Sequence, residues 1–109
     1  MVRAALAIFL VWASIGASGA QGDLRASVQS WIASHEQQIV GELVELLSIP
    51  NVAADRPNIR RNAEHLRAML SRRGFAAEIL ETAGNPLVYG ALEVPGAART
   101  VLFYSHYDG

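Results

Sequence analysis

Apolar side chains in the first half of this chain recur at intervals of three and four residues, and after Phe75 they shift toward the alternation of extended structure. Leu24, Val28, Trp31, Ile32, Ile39, Leu43, Leu46 and Leu47 form the first series, which predicts an amphipathic helix with one buried stripe. Asp23 suits its N-cap, a break can fall near Ser34 to Gln38, and Pro50 stops it by disfavouring helical geometry at Ile49. The polar stretch Asn51 to Pro57 reads as a loop. A second helix is expected from Asn58 to Arg73, with Ile59, Ala63, Leu66 and Leu70 as its stripe and Gly74 as the residue that closes it. Arg72 and Arg73 suit the negative pole of that helix, Arg60 and Glu64 are spaced for an exposed pair, and His65 lies beside the stripe as a surface or boundary residue.

Phe75 to Leu80 and Leu87 to Val94 then read as strands around a turn at Thr82 to Pro86, with Gly90 marking a close approach of backbone to another element. Pro95-Gly96 fits a turn that needs positive φ at its second central position. A third strand is expected at Val101 to Ser105. Its four leading residues, Val101, Leu102, Phe103 and Tyr104, are all large and apolar or aromatic, as in a strand buried on both faces. The short connection makes the last two strands antiparallel. The fold class expected is α/β, two amino-terminal helices followed by strands of a mixed sheet.

The third strand ends in chemistry. His106 and Asp108 are two residues apart, so in an extended segment an imidazole and a carboxylate emerge on the same side. The crevice beyond the carboxyl ends of strands in open α/β sheets is where ligands bind. A metal-ligating histidine needs a partner that fixes its tautomer, and a nearby carboxylate supplies one. A plain surface pair is the other reading of so short a motif. His35, Glu36, Glu42 and Glu45 on the first helix are read as its solvated or boundary face rather than as a metal cluster.

Three segments in order, Leu43-Val-Glu-Leu-Leu-Ser-Ile-Pro-Asn-Val52, Gly84-Asn-Pro-Leu-Val-Tyr-Gly90 and Val101-Leu-Phe-Tyr-Ser-His-Tyr-Asp-Gly109, resemble the start of the dizinc family of aminoacylases, carnosinases, acetylornithine deacetylases and glutamate carboxypeptidases. The resemblance spans the chain from its first helix to Gly109, and its sharpest motif is the apolar strand running into His-Tyr-Asp. It implies a dizinc-exopeptidase catalytic domain in which His106 is a zinc ligand and Asp108 orients it. It also implies two Zn2+ ions, with Co2+ or Mn2+ as substitutes, and a peptide or N-acyl amino acid substrate. A homodimer formed through a separate lid domain is a further implication. The bridging Asp, the Glu-Glu pair with the general base and the remaining ligands follow this motif in the family. Residues 21–109 are therefore expected to be the amino-terminal part of a catalytic domain, inactive alone. Gly109 stands where many relatives have Val.

Residues 1–20 read as a signal peptide: Arg3 provides the positive charge, Ala4 to Ala17 an apolar run, and Ser18-Gly-Ala20 small residues for cleavage before Gln21. The run is shorter than the ~20 residues of a membrane span, so an exported product, secreted or periplasmic, is expected. The 109 residues are 51% hydrophobic, enough for one small core. A net charge of -1 argues against a nucleic-acid partner, although every one of the nine basic residues is arginine. Without cysteine there is no disulfide framework and no thiolate metal site, so a metal would rely on His, Asp or Glu.

Two rivals to the metallohydrolase reading are an exported, non-catalytic α/β binding module and a serine hydrolase. The second would need a Gly-x-Ser-x-Gly elbow, which the chain does not contain.

Overall fold

The computed structural model describes residues 18–109 and has the order α1 (Ser18–Leu47), α2 (Arg56–Arg72), β1 (Ala76–Leu80) and β2 (Leu87–Ala91). The architecture is α/β, two helices followed by two antiparallel strands. The chain divides into two compact units, residues 1–36 and 37–109. The signal-peptide expectation falls almost wholly outside the described residues.

In the first unit the described part is the amino-terminal portion of α1. It is already helical at Ser18, so Asp23 lies inside the helix instead of capping it. The expected break at Ser34 to Gln38 is absent, since helix is continuous there. No proline or glycine interrupts that stretch. His35 is occupied locally. Its ring stacks on Trp31 at 4.2 Å between centroids, and its Nδ1 lies 2.8 Å from the Trp31 carbonyl oxygen.

The second unit is built around α2. Asp55 caps it, accepting from the Asn58 backbone N–H at 3.2 Å and from the Asn58 side-chain amide at 2.7 Å. Those contacts, the side-chain one first, hold the Asp55 carboxyl below its ordinary range. Pro57 sits inside the first turn, where its missing N–H costs nothing, so the helix starts earlier than the loop reading of Asn51 to Pro57 allowed. Gly74, with φ +84°, closes the far end as expected. Arg73 donates to the Met69 carbonyl at 3.0 Å and pairs with Glu42, whose carboxyl is lowered chiefly by that guanidinium. Arg60 pairs with Glu64 at 3.3 Å, as the spacing predicted, and also with Glu81.

The strands pair with Ala77 opposite Gly90 and Ile79 opposite Val88, and these four positions and Ala91 are the half-buried ones. Both strands contact α2. A Cβ at Gly90 would lie 3.0 Å from Leu70 Cδ1 and 3.5 Å from Phe75 Cδ1, the close approach that the glycine predicted. Ile59 and Ala63 are fully buried at the centre. Asn62, also buried, donates to the Pro50 carbonyl at 2.8 Å and to the Asn58 carbonyl at 2.9 Å, tying α2 to the chain that leaves α1. The Pro95-Gly96 turn forms, with Gly96 at φ +76° and the Ala97 N–H 3.1 Å from the Val94 carbonyl.

Two expectations are corrected. The α1 stripe is not buried: Leu24, Val28, Trp31, Ile32, Ile39, Leu43 and Leu47 are all exposed, and only Leu46 is partly covered. Arg25, Gln29, Glu36 and Glu42 fall inside the apolar sector and interrupt it, and no other described helix or strand packs against the part of α1 in the second unit. The third strand is also absent. Residues 101–105 form no ladder among the described residues, and Leu102 and Phe103 are 84% and 90% exposed. A strand needs a neighbour to receive its backbone hydrogen bonds, and β1 and β2 pair only with each other.

Candidate functional site

Three stretches of the second unit converge at the carboxyl end: the loop 51–53, the turn 82–86 and residues 104–109. The turn is braced by Thr82, whose hydroxyl accepts from the Gly84 N–H at 2.9 Å and donates to the Asn85 carbonyl at 2.8 Å. The loop is bent by the Asp55 N–H donating to the Val52 carbonyl at 2.8 Å. Gly109 joins it through two backbone bonds, its N–H to the Asn51 carbonyl at 2.8 Å and its carbonyl from the Ala53 N–H at 3.0 Å. One residue accepting and donating across the two flanks of Val52 is the pattern of a parallel β-bridge.

The structure brings His106 and Asp108 together, with Nδ1 and Oδ1 3.2 Å apart. Same-side projection from i and i+2 therefore holds over this short stretch even without a sheet. The Asp108 carboxyl is held below its ordinary range, first by the His106 side chain, then by its own backbone N–H, with the Asn85 side chain also contributing. An ionised carboxylate can only accept, so Nδ1 carries the proton of a neutral His106 ring and the lone pair lies on Nε2. The Tyr104 hydroxyl is 3.1 Å from Nε2 and donates to it, and the two rings meet edge to face at 5.5 Å. The hydroxyl can donate or accept, so it fits the tautomer that Asp108 selects.

Tyr107 is held separately from this pair. Its hydroxyl donates to the Pro86 carbonyl, and burial, followed by the nearby Asp108 charge, raises its pKa. The His106 side chain is 72% exposed and that of Asp108 29%, so the carboxylate sits at the base and the imidazole at the rim. They border an open cleft of about 520 Å³ with apolar walls from Leu47, Leu66, Leu70, Val88 and Phe103.

As a metal site the arrangement is partial. Among the described residues no group of three or more His, Cys, Asp or Glu side chains could hold an ion. His106 offers one donor with its tautomer fixed, and the rest of a coordination sphere is not assembled around it. His35, Glu36, Glu42 and Glu45 do not form a cluster either. His65 is half-buried with Nε2 covered and without a hydrogen-bond partner, and no residue of the His106 pair touches it through a hydrogen bond.

Tyr104, Asn85 and Tyr107 were missed by reading the sequence. Tyr104 had a signal, the same two-residue spacing that pairs His106 with Asp108. Asn85 and Tyr107 act across 32 and 21 positions of the chain, on Ala53 and Pro86, and no local pattern announces such contacts. No protein-family model matches the chain, and neither a curated protein nor a solved structure matches it. Among the described residues no helix is long and apolar enough to cross a membrane.

Proposed function

We propose that this chain carries the first metal-binding element of an exported zinc-dependent hydrolase of amide or peptide bonds, acting on peptides or N-acyl amino acids. The observation that supports it is the His106–Asp108 pair, 3.2 Å apart and set beside an apolar cleft. Its resemblance in sequence to the dizinc aminoacylases and carboxypeptidases supplies the reaction class. His106 presents Nε2 as the donor, and Asp108 holds the Nδ1–H and keeps the ring in that tautomer. When bound, zinc would supply a water of lowered pKa and polarise the scissile carbonyl. In this reading the cleft walls, Leu66 and Leu70 among them, offer an apolar surface to a substrate side chain. Residues 101–105 take the role of a buried strand of a mixed catalytic sheet once other strands flank them. The further ligands and the general base come from outside these elements.

The test is metal content and hydrolysis in the protein expressed from its whole reading frame, assayed on dipeptides and N-acyl amino acids. His106→Ala is expected to lose bound zinc and to lower turnover by at least ~100-fold. Asp108→Asn is expected to weaken metal affinity by ~10- to 100-fold. Unchanged metal content and rate in His106→Ala would leave the pair as a surface contact and favour a binding module.

A further inference from the structure

We propose that Asn85 is a positioning residue: from the 82–86 turn it clasps the 51–53 loop to the Asp108 end of the chain and thereby sets the His106 tautomer. The proposal rests on the roles given above to His106 and Asp108, and adds a residue from outside the His-Tyr-Asp motif.

The geometry forms a chain of bonds from the turn to the end of the site. Asn85 Nδ2 donates to the Ala53 carbonyl at 3.0 Å. The Ala53 N–H donates to the Gly109 carbonyl at 3.0 Å, and the Gly109 N–H returns to the Asn51 carbonyl at 2.8 Å. Gly109 is bonded to Asp108, so the loop that Asn85 holds is the loop that fixes the backbone of the carboxylate. A second strap runs beside the first, where the Tyr107 hydroxyl donates to the carbonyl of Pro86, the residue next to Asn85. Adjacent turn residues thus hold the 51–53 loop, through Asn85, and Tyr107, through Pro86. The turn can act as an anchor because the Thr82 hydroxyl braces it on both sides of Asn85.

An asparagine fits this place for a chemical reason. Its amide nitrogen can donate to the Ala53 carbonyl, and its side chain is among the groups that hold the Asp108 carboxyl below its ordinary range. A carboxylate at 85 would have no hydrogen to give and would repel Asp108.

The prediction is read without metal. In long-range 1H–15N spectra of the whole chain, the neutral His106 ring is expected to favour the Nδ1–H form. Asn85→Ala and Asn85→Asp should each reduce the ratio of Nδ1–H to Nε2–H by about fivefold or more, the scale of one lost hydrogen bond. Cross-strand contacts between Ala77 and Gly90 should persist, showing that the hairpin is intact. An unchanged ratio in a folded variant would overturn the proposal. So would loss of the hairpin in both variants, because Asn85 would then hold up the fold and not the site. Since the readout needs no zinc and no turnover, a failure of the hydrolase reading is distinguishable from a failure of this one.

Discussion

The β1–β2 hairpin and the segment Val101 to Tyr104 make an instructive pair. The segment is the more apolar, four large side chains in succession, whereas the hairpin contains Ala76, Ala77, Glu78 and Gly90. Yet the hairpin forms the sheet, and the segment lies 71% to 90% exposed. The difference is in their neighbours. The hairpin closes through a short turn, so each strand finds its hydrogen-bond partner locally, and α2 covers one of its faces. Its other face stays open, with Leu80, Leu87 and Tyr89 from 40% to 53% exposed. Residues 101–104 have neither a ladder nor a cover. Apolar character gives a segment the capacity to be buried, but pairing and a packed face realise it.

The largest effect that would test this contrast is expected under the hairpin. Ile59→Ala removes a fully buried side chain from the helix that covers the strands, and should cost about 2–5 kcal/mol in chemical denaturation. A loss below about 1 kcal/mol would mean that α2 and the strands do not share a packed core. Next comes Gly90→Val, which drives a branched side chain into a position where even a Cβ stands 3.0 Å from Leu70. It should destabilise by about 1–3 kcal/mol, and a stabilised variant would show that Leu70 yields freely. The smallest effect is expected in the segment. Phe103→Ser in the 109-residue chain, at a side chain 90% exposed, should change stability by less than about 0.5 kcal/mol in the same titration. A loss comparable to that of Ile59→Ala would show residues 101–104 to be packed in solution and remove the distinction between the two regions.

The two helices repeat the lesson. In α2 the stripe Ile59, Ala63, Leu66, Leu70 reads correctly from spacing, because the positions between carry Arg60, Arg61, Glu64 and Arg67 and leave one face to bury. Asn62 lies on that same face and is buried, a position that spacing alone would assign to a hydrophobic residue. It is tolerated because the Pro50 and Asn58 carbonyls satisfy its amide. In α1 the periodicity is equally visible, but Arg25, Gln29, Glu36 and Glu42 interrupt the apolar sector and no clean face is singled out.

The sequence by itself determined the local events: a helix stopped by Pro50, a second one closed by Gly74, the turns at 82–86 and 95–96, a strand glycine pressed by Leu70, and His106 within reach of Asp108. Each depends on residues a few positions apart, where backbone sterics and side-chain direction leave few choices. Tertiary structure decided which apolar surfaces were covered, and it decided that Asn85, Ala53 and Gly109 would meet around the carboxylate. Those outcomes turn on partners distant along the chain, and hydrophobic burial, being non-directional, does not write the identity of its partner into the segment that is buried.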